Sequence, residues 1–235
     1  METIPSISED LVLYSDNHLL IVNKPARIGV QGDKSGDVPL VEMVREYIRV
    51  KFEKPGNVFC GLIHRLDRPV SGAIIFARTS KALERMNKQF ANTHPKKVYW
   101  AIVENPPKEK EKYLVGHLER NEKQNKSYIF DKAKITTKEA RLSYKQVAQS
   151  DKYTLLEVEL ETGRHHQIRA QLASIGCVIK GDLKYGAKRS NLDGSISLHA
   201  RFIQFEHPTS KEPIEVTAPV PNESLWKWFE QKMTK

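Results

Sequence analysis

The residues best suited to chemistry fall in one short stretch, 64–72, which reads His-Arg-Leu-Asp-Arg-Pro-Val-Ser-Gly. Asp67 stands there between Arg65 and Arg68, ahead of a small-residue turn and the apolar run at 73–77. A carboxylate among cations is held ionised, because each nearby positive charge favours the charged form. Such an acid is a poor proton donor and a usable nucleophile. The same spacing also describes an ordinary surface ion-pair cluster, and these nine residues alone do not separate the two readings. Other chemistries fit less well. Ser71 lacks the G-x-S-x-G elbow of a serine hydrolase. His64, His165, His166 and His199 do not follow the familiar zinc-ligand spacings, so no metal is expected. The sequence has neither a G-x-x-x-x-G-K-[ST] phosphate loop nor a Cys-x-x-Cys pair, and no cofactor is expected.

The elements that must position this stretch can be read from pattern. Residues 11–14 and 19–22 read as strands around Ser15-Asp16-Asn17, a hairpin signal. Asp37 and Pro39 open a helix whose inner face is Leu40, Val44, Tyr47 and Ile48. Residues 58–63 read as a strand entering the 64–71 loop, and 72–77 as a strand leaving it. Thr79 or Ser80 caps a second helix with Leu83, Met86 and Phe90 on its buried side. Residues 97–103 form a further strand. The stretch 104–138 is dense in Lys and Glu and reads as exposed connections and hairpin tips. Strands are expected at 141–147 and 153–160, then a helix at 165–175 that stops at Gly176. Strands at about 195–206 and 213–218 follow, and Asn222 caps a last helix carrying Trp226 and Phe229. Many strands, hairpins and interspersed helices, without regular βαβ repeats, indicate an α+β fold with a mainly antiparallel sheet.

Composition narrows the partners. The 235 residues include 38 Lys+Arg against 29 Asp+Glu, a formal net charge of +9. That balance favours an anionic partner, most often nucleic acid. Two cysteines, Cys60 and Cys177, are too few for a disulfide framework. The first ten residues are polar and acidic, unlike a signal peptide. No apolar run reaches the ~18 residues of a membrane span. A reducing, cytoplasmic setting without membrane association is the expectation.

Several ordered blocks resemble the pseudouridine synthases, specifically the RluA-type branch that converts uridine to pseudouridine in ribosomal and transfer RNA. His64-Arg65-Leu66-Asp67 with Ser71-Gly72 is similar to that family's catalytic signature. Residues 16–25, DNHLLIVNKP, resemble its opening hairpin, and residues 97–101, KVYWA, its tyrosine-bearing strand. Residues 162–169, TGRHHQIR, resemble its T-G-R-x-H-Q-I-R block. Gly181-Asp182 with Tyr185-Gly186, and Leu198-His199-Ala200, match two shorter blocks in order. The likeness spans roughly residues 11–220. Val70 departs from it, standing where the family usually has Thr and removing a hydroxyl from the loop.

The resemblance implies a single catalytic domain over 1–235, a long mixed sheet crossed by a basic cleft, and no N-terminal accessory RNA-binding domain. It implies a cofactor-free isomerase acting on RNA as a monomer, not on DNA. In this chemistry the N1–C1′ bond breaks, the uracil turns, and C5 joins C1′. Asp67 would be the carboxylate, attacking C1′ or abstracting the 2′ proton; the sequence leaves both routes open. Arg169 would pair with Asp67, and Tyr99 would lie against the flipped uracil. Arg65 would enter the RNA where the uridine leaves, with His64 and Arg68 beside it. Arg164 and Lys184, within the group Lys180, Lys184, Lys188 and Arg189, would contact phosphates. Without the resemblance, Arg169 is equally a helix-surface arginine and Tyr99 a half-buried strand tyrosine. Two other function classes compete: a non-catalytic RNA-binding or ribosome-assembly factor on the same scaffold, and a nucleoside hydrolase or base glycosylase, which would release free base.

Overall fold

The short turn after the first strand shows how local chemistry starts the fold. In a computed structural model describing residues 4–33, 35–93 and 95–233, Asp16 Oδ1 accepts the backbone N–H groups of His18 and Leu19 at 2.8 and 2.7 Å. This side-chain turn joins β1 (Val12–Ser15) to β2 (Leu19–Lys24). With these two, eleven strands and four α-helices in α+β arrangement are present among the described residues. They divide into two units, one of residues 1–95 with 202–219, the other of residues 96–201 with 220–235.

In the first unit β2 runs antiparallel to β4 (Ser71–Ala77), from Leu19 opposite Ala77 to Lys24 opposite Gly72. Successive strand residues face opposite sides of a sheet. Leu19, Ile21, Ala73 and Ile75 therefore pack one way, against Met86, Ile203, Phe205, Val216 and Ala218. Leu20, Val22, Ile74 and Phe76 face the other way and are buried too. Strands covered on both faces read as continuous apolar runs, as these do. Helix α1 (Leu40–Lys51) buries Leu40, Val44, Tyr47 and Ile48, the four positions expected from its spacing. Helix α2 (Ser80–Asn92) is capped by Thr79, whose Oγ1 accepts from Ala82 N at 3.1 Å. It buries Ala82 and Met86, while Leu83 and Phe90 stay half-buried.

The strand expected over 58–63 shortens to β3 (Gly61–Leu62), which pairs with Ala77 and Phe76 before the chain turns into the Asp67 loop. Near the C-terminal end, β10 (Leu198–Glu206) pairs antiparallel with β11 (Pro213–Thr217) from Phe202 onward.

In the second unit the antiparallel order is β5-β9-β8-β6-β7, for β5 (Lys96–Val103), β6 (Glu111–Asn121), β7 (Lys126–Phe130), β8 (Lys138–Gln149) and β9 (Thr154–Leu160). Much of 104–138, expected as exposed connections and hairpin tips, is one long hairpin with its strands paired from His117 opposite Phe130 to Asn121 opposite Lys126. Leu114, Gly116 and Leu118 are buried at alternate positions of β6, while Glu111, Lys112, Tyr113 and Val115 are exposed. Exposed Tyr113 and Val115 on the outer row flank buried Leu114 with further apolar side chains, so the period-two burial does not show as an apolar–polar alternation. Helix α3 (Gln167–Ser174) begins two residues later than expected, because His166 takes a left-handed conformation with φ 53°. The Gln167 side chain draws in the preceding turn, with Oε1 accepting from Thr162 Oγ1 at 2.8 Å and Arg164 N at 3.0 Å. Helix α4 (Ser224–Met233) buries Trp226 and Phe229 against Trp100, Ile102 and Leu155. It starts at Ser224, so Asn222 lies one residue outside the cap position.

Thr79→Ala removes the acceptor that satisfies an N-terminal amide of α2. We expect a loss of about 1 kcal/mol and a melting temperature lower by roughly 2–4 °C for a chain of this size. A thermal melt indistinguishable from wild type would show that Ala82 N finds another acceptor.

Candidate active site

In the first unit the loop between β3 and β4 carries Asp67, and buried groups hold it on both sides. Leu66 and Val70 are 7% and 2% exposed, so the loop is pegged by one apolar side chain before the acid and one after. Asp67 itself is half-buried and Arg65 is exposed. The Val70 N–H donates to Asp67 O at 3.0 Å and closes the turn. Val70, where the resemblance would put Thr, contributes apolar burial here.

The strongest anchor is Lys24, the last residue of β2. It is fully buried, and its ammonium donates to Pro25 O and Ile28 O at 2.9 Å each and to Arg68 O at 3.2 Å. Arg27 N also donates to Arg68 O at 2.6 Å, so the carbonyl next to Asp67 is held twice. Three N–H bonds match three carbonyls, an arrangement that suits the ammonium rather than the amine. Burial pushes the Lys24 ammonium down to about 7; the Asp67 carboxylate acts against that shift and the Arg68 cation adds to it.

Arg68 turns away to other acids. Its guanidinium pairs with Asp37, lies 3.5 Å from Asp33, and donates to Arg27 O at 3.0 Å and Ser35 Oγ at 3.1 Å. These bonds strap the 27–37 segment to the loop. His64 opens the loop, and its Nε2 accepts the Ile75 N–H of β4 at 3.2 Å while its ring stacks on Phe90.

In the second unit Tyr99 lies half-buried on β5, opposite Val158 of β9. Its neighbours Val98 and Trp100 face the other side and are buried. Lys97 shares the Tyr99 face, and burial lowers its pKa below the ordinary lysine value. Arg169 is not a surface arginine. It is 5% exposed and forms a bidentate pair with Asp182, itself 1% exposed, through Nε to Oδ2 at 2.6 Å and Nη2 to Oδ1 at 2.8 Å. Its guanidinium also lies 5.1 Å from the Tyr185 ring centroid. Two parallel bonds to one carboxylate fix both position and orientation.

Tyr185 ties this pair to the β6–β7 hairpin. Its Oη accepts from Ser127 N at 2.8 Å and lies 3.0 Å from His166 Nδ1. His166, stacked on His165, is pushed down to about 2 by burial and by the Arg169 charge, and so is neutral. Lys184 donates to the Gln124 and Asn125 carbonyls at the hairpin tip, at 3.2 and 2.9 Å. Arg164 is exposed and donates through Nε to Glu139 O at 2.9 Å.

Sequence reasoning missed three of these roles. Lys24 was read only as part of a motif, yet it falls on the i, i+2, i+4 row with buried Leu20 and Val22. Asp182 and Tyr185 likewise stood only as short blocks. Nothing local marks either as a partner of Arg169, because the contacts close over 13 and 16 residues that include the rest of α3 and the turns after it.

A family model described as RNA pseudouridylate synthase matches residues 18–174. An uncharacterized RNA pseudouridine synthase of Bacillus subtilis is 33% identical over 224 residues, 93% of this chain and 71% of the relative. A protein named ribosomal large subunit pseudouridine synthase C, from Vibrio vulnificus, is 30% identical over 232 residues, 93% of this chain and 70% of the relative. The solved structure titled human RNA pseudouridylate synthase domain containing 4 has a TM-score of 0.78 at 18% identity, covering 95% of this chain and 92% of that one. That likeness shows the fold.

Lys24→Met keeps the length of the side chain, leaves the Pro25 and Ile28 carbonyls without that donor, and leaves Arg68 O with the Arg27 N–H alone. We expect it to cost roughly 2–4 kcal/mol. The folded value of Lys24 lies below its ordinary 10.5, so the unfolded chain holds the extra proton. Wild-type stability therefore gains as pH rises from about 7 toward 10.5, and the variant lacks that gain. Thermal melts near neutrality and about two pH units higher should show the gap between the proteins widening. A constant gap would contradict a buried, titrating ammonium.

Proposed function

This chain belongs to the RNA pseudouridine synthase family, isomerases that act on RNA, and on that premise we propose that it converts uridine to pseudouridine with Asp67 as the essential carboxylate. The single observation that carries the role of Asp67 is its loop, in which a half-buried acid is set between anchored backbone groups. A carboxylate held this way meets an incoming ribose in one orientation, and orientation is where much of a barrier can be lowered.

Either route expected from the sequence uses the same pair of oxygens. In one, Asp67 attacks C1′ and the N1–C1′ electron pair leaves with the uracil. In the other, Asp67 takes the 2′ proton and a glycal forms as the base departs. In both, the uracil turns and C5 bonds to C1′, which breaks the Asp67–C1′ ester in the first route and is matched by return of the proton from Asp67 to C2′ in the second; the C5 proton is then lost and N1 regains one. Atoms balance without an oxidant, reductant or metal.

Tyr99 receives the base, for which stacking contributes about 1–3 kcal/mol. Arg169 serves as the cation for the Asp67 carboxylate, in keeping with the resemblance of its block; its bidentate bond to Asp182 supports a role that needs a fixed guanidinium. Arg65, exposed two residues before the acid, fills the space the uridine vacates, since a planar guanidinium stacks and hydrogen-bonds at once. Arg164 contacts phosphate. Lys184 combines that role with bracing the hairpin tip.

Ribosomal RNA is the substrate to test first, because the Vibrio relative is named for the large ribosomal subunit; transfer RNA is the second. The two cysteines are free and buried, which suits a reducing cytoplasm. No helix among the described residues is long and apolar enough to cross a membrane. We take the active form to be a monomer.

The test is a transcriptome-wide map of pseudouridine in cells with and without the gene, complemented by wild type or Asp67→Ala. We expect one or more sites to vanish with the gene and to return only with wild type, while purified Asp67→Ala still binds the RNA. Full restoration by Asp67→Ala would reject the assigned carboxylate, and an unchanged map would reject the activity. Free uracil in place of pseudouridine would move the protein to the hydrolases.

A further inference from the structure

His64 stands three residues before Asp67, where the β3 ladder breaks off. The pairs Gly61 with Ala77 and Leu62 with Phe76 would bring Ile63 opposite Ile75 if the strand continued. The chain turns away instead, and the His64 ring takes the Ile75 N–H at 3.2 Å. Ile75 has no exposed surface, so an orphaned N–H at that point would be costly. The ring is held flat as well, stacked on Phe90 of α2 with centroids 5.6 Å apart at 20°. Because Nε2 accepts, the ring is neutral at that nitrogen and any ring proton lies on Nδ1.

We propose that His64 is a positioning residue for Asp67: its imidazole replaces a strand carbonyl on β4 and fixes the entry end of the loop, as Lys24 fixes the exit end. This rests on the reading of Asp67 as the reactive carboxylate. It assigns His64 to the scaffold, in place of the RNA contact expected from the sequence. A loop held at one end only would swing about Arg68 O, and a displacement of about 1 Å can lower a rate about a hundredfold.

Three substitutions separate the alternatives. His64→Gln keeps an acceptor oxygen, His64→Phe keeps a ring for Phe90 without the acceptor, and His64→Leu lacks both. Three quantities are read: the single-turnover rate of pseudouridine formation at saturating enzyme, the affinity for the same RNA, and hydrogen exchange at the Ile75 amide. We expect His64→Phe and His64→Leu to lose rate by about a hundredfold, to keep wild-type affinity, and to exchange faster at Ile75. His64→Gln should recover most of the rate and of the protection. If His64→Phe does not fold, the glutamine and leucine proteins make the same comparison.

A wild-type rate in the proteins lacking an acceptor overturns the proposal. So does a loss of affinity with the saturated rate unchanged, which would make His64 an RNA contact. So does lost rate with Ile75 still protected. Wild-type protein that forms no pseudouridine on any RNA defeats the reading of Asp67 and this role with it, whereas active wild type with an unaffected His64→Phe defeats this role alone.

Discussion

An ammonium without exposed surface must find acceptors for all its hydrogens, and Lys24 finds them in the carbonyls of Pro25, Ile28 and Arg68. Two are local and curl the chain after β2. The third reaches across 44 residues to the loop that carries Asp67. Burying that charge is unfavourable in itself, as its lowered pKa reflects. The arrangement persists because the sheet around it is dense, with Leu20, Val22, Ile74 and Phe76 essentially unexposed on the Lys24 side. A well-packed sheet thus carries the cost of a buried cation, and the cation sets the backbone next to the acid.

The second unit follows the same logic with a different pair. Arg169 and Asp182 are each almost wholly buried and satisfy one another in two bonds. Replacing Arg169 would take its bidentate cation from the nearly unexposed Asp182 carboxylate, which is far more costly than the pair is stabilising. Tyr185, His166 and Ser127 extend the network to the β6–β7 hairpin. The hairpin's orientation relative to α3 is therefore specified by polar contacts as well as by the small apolar cluster of Leu118, Ala140 and Ala170.

How much of this the chain announces depends on the range of the interaction. The face of α1, the cap of α2 and the strands flanking Asp67 were legible because each is a pattern within about a dozen residues. The paired extent of the β6–β7 hairpin was not, since exposed Tyr113, Val115 and Tyr128 break the apolar–polar alternation of its strands. Asp67 and Arg169 stood out through ordered blocks, but the groups that hold them did not. A lysine at the end of a strand and an aspartate in a glycine turn show their roles only when distant backbone closes on them. Arg68, the apparent cation beside Asp67, turned out to be engaged with Asp33 and Asp37 of the neighbouring segment.

We propose that the Asp67 carboxylate works because hydrogen bonds to the neighbouring backbone hold it in place. Asp67→Glu keeps the charge and the chemistry while moving the oxygens outward by one methylene, so it separates position from mere presence. Single-turnover pseudouridine formation at saturating enzyme should fall by about a hundredfold or more with RNA affinity unaltered. A glutamate variant that isomerises uridine at the wild-type rate would contradict the account.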